Sequence, residues 1–167
     1  MSFNPEEMLK GRMAESLVEE LFSKSGNKIY RFGYEAILQN LTQIEKSFNT
    51  NNEAGKMIQT IPDFIIVDKN RNPTFLEVKF RRNGHLHNDD KERLLRIGDF
   101  WKAKIIIVNC HDRPFFNIST PKYFENGEFK SKPLMAENSW EIDADAYKKA
   151  EELVEKYLTK PLMDNSQ

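Results

Sequence analysis

The sequence predicts an α/β domain, in which a central mixed sheet of about four to five strands is flanked by helices, and three observations predict it. Two apolar strands, Phe64-Ile65-Ile66-Val67 and Thr74-Phe75-Leu76-Glu77-Val78-Lys79-Phe80, flank a short polar turn and read as a hairpin. An amphipathic helical segment comes next, and after it the unbroken apolar run Ile105-Ile106-Ile107-Val108. Such a run suits a strand covered on both faces, and a hairpin followed by a helical crossover implies a mixed sheet. At 167 residues the chain suffices for a single domain with a proper core and is short for two. The core is expected over about residues 8–109, with 110–167 as a C-terminal appendage.

Each element has its own signal. Asn4 as cap, Pro5 at the first helical position and Glu6 and Glu7 near the positive end open a helix over Pro5–Lys24. Ala14, Leu17, Val18, Leu21 and Phe22 repeat at helical spacing as its buried stripe, and Ser25-Gly26-Asn27 ends it. Alternation of Ile29, Phe32 and Tyr34 predicts a strand over 28–34, and Ile37, Leu38, Leu41, Ile44 and Phe48 predict a helix over 35–48. Residues 49–60 are polar and read as a loop. After a loop over 81–87, Asn88 or Asp89 is expected to cap a helix, with Asp89 and Glu92 as capping box. Its apolar side is Leu94, Leu95, Ile97, Gly98 and Trp101. Beyond Asn109, Pro114, Pro121, Gly127 and Pro133 punctuate short pieces, among which Phe115 to Ile118 is a candidate strand. A helix over 143–158 closes the chain on a stripe of Tyr147, Ala150, Val154, Tyr157 and Leu158.

Composition excludes some classes. Hydrophobic content of 39% with 31% charged residues describes a soluble globular chain with a highly charged surface. The formal net charge of −1 argues against wholesale coating of nucleic acid but leaves room for a local basic face. Cys110, alone of its kind, excludes an internal disulfide and reads as a small apolar filler at a strand end. No stretch reaches the ~20 apolar residues of a membrane span, and the first residues lack the basic and apolar regions of a signal peptide. A cytoplasmic protein is expected.

The hairpin carries the chemistry. Asp63, Glu77 and Lys79 place three charges on otherwise apolar strands, where an unpaired ion costs several kcal/mol. Glu77 and Lys79 are two apart and share a face, leaving Leu76, Val78 and Phe80 to the core. Asp63 joins that face only if it opposes Glu77 or Lys79, which requires a connection centred on Asn70 or Arg71, odd in length or bulged. If the three converge, Asp63 and Glu77 are hard oxygen ligands for Mg²⁺, for which Mn²⁺ can substitute, and the Val78 main-chain carbonyl is a candidate further ligand. Lys79 can then orient or deprotonate an attacking water, or donate to phosphate. The bland alternative is an ion pair bridging two exposed strands. Glu15 stands at the edge of the first helix's stripe, where a carboxylate can reach a metal or serve as an ordinary solvated side chain.

Pro62-Asp63, then Glu77-x-Lys79 with thirteen residues between Asp63 and Glu77, and the helical Gly11-Arg12-Met13-Ala14-Glu15, resemble the PD-(D/E)xK nuclease superfamily. More narrowly they resemble its Holliday-junction-resolvase-like branch. The resemblance covers about residues 8–109 and implies a helix, three strands, a helix and a strand, in that order. It implies Glu15, Asp63 and Glu77 as metal-site carboxylates and Lys79 as the catalytic lysine. The interval between the first two core strands is enlarged, the helix after the motif lacks a Gln-x-x-x-Tyr signature, and the tail from His111 has no counterpart.

Residues 69–104 carry ten basic against five acidic side chains in a chain of net charge −1, which favours a polyanion near the site. Arg81, Arg82 and Arg12 are the nucleic-acid-binding candidates. The expected activity is Mg²⁺-dependent hydrolysis of DNA, with branched or structured DNA among the candidate substrates and RNA not excluded. A homodimer would suit the cutting of two strands. Two rivals stand beside this reading: a catalytically inactive module on the same fold that binds nucleic acid or assembles with protein, and an unrelated α/β domain. The last requires Asp63 and Glu77 to face opposite sides of the sheet.

Overall fold

The computed structural model describes residues 4–33 and 51–160. Helix α1 spans Pro5–Lys24, and the Asn4 side chain accepts from the Glu6 and Glu7 N–H groups at 3.1 and 3.3 Å. It ends where Gly26 adopts φ +83° and the Asn27 N–H reaches back to the Phe22 carbonyl at 3.0 Å. Strand β1 (Lys28–Arg31) is shorter than predicted, and the helix predicted over 35–48 lies outside the described residues. Residues 49–60 are not all loop. Asn52 caps a short helix, α2 (Glu53–Gln59), by accepting from the Gly55 N–H at 2.7 Å. Only Gly55 of α2 is buried, so no apolar stripe announces it.

The hairpin is β2 (Phe64–Val67) and β3 (Pro73–Phe80), joined by the five residues 68–72. The Asp68 side chain accepts from the Asn70 and Asn72 N–H groups at 2.8 Å each, while Arg71, not an asparagine, takes the positive φ. Helix α3 (Asn88–Trp101) then crosses to β4 (Lys104–Val108), which lies parallel to β3. The cap of α3 is His87, which forms the capping box with Asp90, in place of the expected Asp89 with Glu92. The tail supplies β5 (Phe116–Ser119), the two-residue strands β6 (Phe124–Glu125), β7 (Glu128–Phe129) and β8 (Lys132–Pro133), and helix α4 (Ala144–Tyr157) capped by Asp143.

Among the described residues the main sheet has six strands in the order β1-β2-β3-β4-β5-β8, one or two more than predicted because β5 and β8 come from the tail. Of its described strand pairs only β3–β4 is parallel. Through β4 the described elements include the helix, three strands, helix and strand expected, with α2 added before β2. Alternation divides the sheet. Phe64, Ile66, Leu76, Val78, Phe80, Ile106 and Val108 pack with α1 and α4, and Ile105 and Ile107 pack with Leu94 and Ile97 of α3. From the tail, Phe116, Ile118, Leu134, Trp140, Ala150, Val154 and Leu158 belong to the larger cluster. Two stripe residues fall outside the core, for Leu95 is 53% and Tyr157 44% exposed. No helix among the described residues is long and apolar enough to cross a membrane.

Gly98 lets α3 approach the tail. A Cβ there would stand 2.9 Å from the Tyr123 ring, whose hydroxyl is tied to the Ala103 carbonyl. The ring is buried and cannot swing aside. Gly98→Ala is therefore expected to destabilise the protein by about 1–3 kcal/mol through overpacking, despite the ~1 kcal/mol that alanine gains in helix propensity. A chemical denaturation midpoint at or above that of the parent would refute it.

Candidate metal centre

Register decides whether the three hairpin charges meet. Phe64 pairs with Leu76 and Val67 with Pro73, so the connection is centred on Asn70 and Asp63, one step before β2, falls opposite Glu77. The unrelated-domain rival required the opposite. The ladder stops there, and Asp63 Oδ2 accepts from the Val78 N–H at 2.8 Å. The Asp63 carboxylate therefore lies against the β3 backbone at Val78. Its own carbonyl accepts from the Phe32 and Gly33 N–H groups at 2.8 and 3.1 Å, holding the end of β1.

Glu77 is only 2% exposed. Its Oε1 has two cations, Lys79 Nζ at 3.6 Å and Arg93 Nη2 at 3.4 Å. Its Oε2 is buried without a hydrogen-bond partner. Buried carboxylates normally have both oxygens satisfied, so the unpartnered Oε2 near a second carboxylate is a candidate position for a cation. Burial pushes the Asp63 carboxyl well above its usual 3.8; the Glu77 and Glu15 carboxylates push the same way, and the Val78 N–H and Lys79 only partly oppose them. The donor set is all oxygen and hard, which suits Mg²⁺ or Mn²⁺.

Glu15 acts on Asp63 through its charge but does not complete a cage. Among the described residues, no three His, Cys, Asp or Glu side chains converge closely enough to hold a metal ion. Glu15 faces Arg31, whose Nη1 is 3.9 Å away, while Arg31 Nη2 pairs with Glu19 at 2.5 Å. The centre is accordingly two carboxylates with a third at the rim. Mg²⁺ sites commonly need no more, because water and substrate phosphate supply the remaining ligands.

The three arginine candidates are not gathered here. Arg81 forks onto the Asp90 carboxylate through Nε and Nη2 and donates from Nη1 to the Phe80 carbonyl at 2.6 Å. Burial pushes the Asp90 carboxyl up, but the Arg81 and His87 hydrogen bonds bring it below its usual value. Arg82 donates to the Thr159 carbonyl at 2.9 Å. Both arginines line a cavity of about 600 Å³ with Lys10, His87 and His111, which Asp63, Glu77 and Lys79 do not line. Arg12 is exposed on α1 beside a groove formed with Leu9, Met13, Leu153 and Tyr157. The arginines that do reach the carboxylates, Arg31 and Arg93, carry no signal in the sequence that separates them from other basic residues of β1 and α3.

No family model and no curated protein matches the chain. Among solved structures, Hjc of Archaeoglobus fulgidus, a Holliday junction resolvase from an archaeal hyperthermophile, is similar with a TM-score of 0.40 and 19% identity over 84% of this chain and 88% of that one. A likeness this slight carries no function across.

Proposed function

We propose that the chain is a divalent-metal-dependent nuclease of the PD-(D/E)xK type acting on DNA. The observation that carries the proposal is the register: Asp63 opposes Glu77, Lys79 follows on the same face, and one Glu77 oxygen is left buried and unpartnered. Asp63 and Glu77 would hold the ion, with the Val78 carbonyl as a candidate third protein ligand and Glu15 at the rim. When bound, Mg²⁺ or Mn²⁺ supplies Lewis acidity that offsets negative charge on phosphate oxygens.

The chain's own groups do the rest. Lys79, 17% exposed, holds an ammonium beside Glu77 and Asp63, where it can donate to a phosphate oxygen or orient an attacking water. The Val78 N–H fixes the Asp63 carboxylate, so the two acidic side chains need little reorganisation. Residues 69–104 carry ten basic against five acidic side chains, a local excess of positive charge that would favour a polyanion. A two-fold dimer would place two such sites for two strands.

A panel of branched, linear and single-stranded DNA with RNA, incubated with Mg²⁺ or Mn²⁺, tests the reading. At least one DNA form should be cut, and Glu77→Ala or Lys79→Ala should lower cleavage by a factor on the order of 10² to 10³ with circular dichroism unchanged. Absence of cleavage of every form with either metal would sink it. One observation favours a second reading, an inactive nucleic-acid-binding or assembly module: among the described residues no third carboxylate closes the site. That reading predicts salt-sensitive DNA binding that survives loss of Asp63 and Glu77, without cleavage.

A further inference from the structure

Arg93 sits in the second turn of α3 and its guanidinium touches two segments at once. Nη1 donates to the Gln59 carbonyl at 2.6 Å, and Nη2 lies 3.4 Å from Glu77 Oε1. Gln59 is the last residue of α2, and the chain reaches Asp63 four residues later. One planar group thus links α3, the segment that delivers Asp63 and the strand residue Glu77. Lys79 addresses the same Oε1, so two cations hold one oxygen while Oε2 stays unpartnered. Holding one oxygen from two directions restricts rotation of the carboxylate and reserves the other for coordination.

We infer that Arg93 is a positioning residue of this centre, setting the Glu77 carboxylate against the Asp63 segment by clamping Gln59 and Glu77 with one guanidinium. Its effect on cleavage rests on the proposed nuclease reading; the clamp itself does not. A lysine is a point charge on a flexible stem and cannot bridge both acceptors as a rigid fork does. The role therefore differs from that of a counter-charge, which any cation would fill.

The test uses the full chain with Arg93→Ala, Arg93→Lys, Glu77→Gln and the Arg93→Ala/Glu77→Gln double variant. In thermal unfolding, the changes in Tm of the two singles should fail to add in the double, as bonded residues do. Both Arg93 variants should lose about 10- to 100-fold in kcat and bind Mn²⁺, titrated alone by calorimetry, more weakly. KM for DNA should stay within about two-fold. Recovery of kcat by lysine would reduce Arg93 to a counter-charge, and a rise in KM alone would make it a substrate contact. Additive Tm changes would show that the clamp does not exist. Any of these overturns the inference. If the parent protein neither binds Mn²⁺ nor cuts DNA, the nuclease reading falls, and the unfolding cycle still decides the clamp.

Discussion

Asp63→Asn is expected to cripple cleavage and, at neutral pH without metal, to make the protein more stable. The side-chain oxygen of the introduced asparagine can still accept the Val78 N–H that Asp63 Oδ2 takes at 2.8 Å, so the local fold should persist. What disappears is a partly buried negative charge crowded by Glu77 and Glu15. Because the folded-state pKa of Asp63 lies above its unfolded value, the folded protein binds that proton more tightly. The Asp63 contribution to stability is therefore greatest below the ordinary carboxylate range and falls as pH rises toward the raised folded value. The asparagine variant should lack that fall and gain about 0.5–2 kcal/mol near neutrality, or roughly 1–8 °C in Tm for a chain of this size. Mg²⁺ should raise the Tm of the parent and leave the variant nearly unmoved, since binding to the native state alone stabilises it. Cleavage should drop by a factor on the order of 10³. Thermal scans across pH, with and without Mg²⁺, check the sign; a variant no more stable than the parent at neutral pH, with an unchanged pH profile, contradicts the charge-crowding account.

Phe22→Ala is expected to have the largest effect on folding. Phe22 is fully buried on α1 and meets Trp140 edge-to-face, with ring centroids 5.1 Å apart and planes at 81°. It packs in the same cluster as Leu76 and Val78 of β3, Val154 of α4 and Leu158 just after it. Truncation removes the transfer energy of an aromatic ring and leaves a cavity that surrounding elements can close only partly. The loss should be about 3–5 kcal/mol, a large share of the ~5–15 kcal/mol that folded domains possess. Urea unfolding should show a lower midpoint with unchanged slope, and the near-ultraviolet signal of Trp140 should weaken. A loss under about 1 kcal/mol would mean that α1 and the tail do not share a close-packed core.

Local patterns make much of this fold legible. The capped, striped helix α1, the hairpin, the apolar strand β4 and the closing helix α4 follow from periodicity and end signals, each within a few residues of its own position. Helix α2 gives no such signal, because its one buried residue is Gly55 and it has no stripe to detect. The cap of α3 departs from the expected one because Asp90, rather than Asp89, turns back onto His87 while also receiving Arg81. Arg81 and Arg82 have the sequence position of phosphate contacts after a strand end, yet their partners Asp90 and Thr159 lie 9 and 77 residues away. Pairings at such separations leave no periodic trace.

For the centre itself, the sequence by itself determined which face of β3 carries Glu77 and Lys79, because alternation along a strand is a two-residue property of the backbone. It also set the condition for Asp63, an odd connection between the strands, without meeting it. Tertiary structure alone met that condition, through an Asp68-centred turn with Arg71 at positive φ and a ladder that ends at Phe64. It alone brought Glu15 within electrostatic reach from α1, Arg31 from β1 and Arg93 from α3. The physical reason is range. Periodicity and capping act over a turn or a strand, whereas the charge around a buried carboxylate is summed over every segment folded against it.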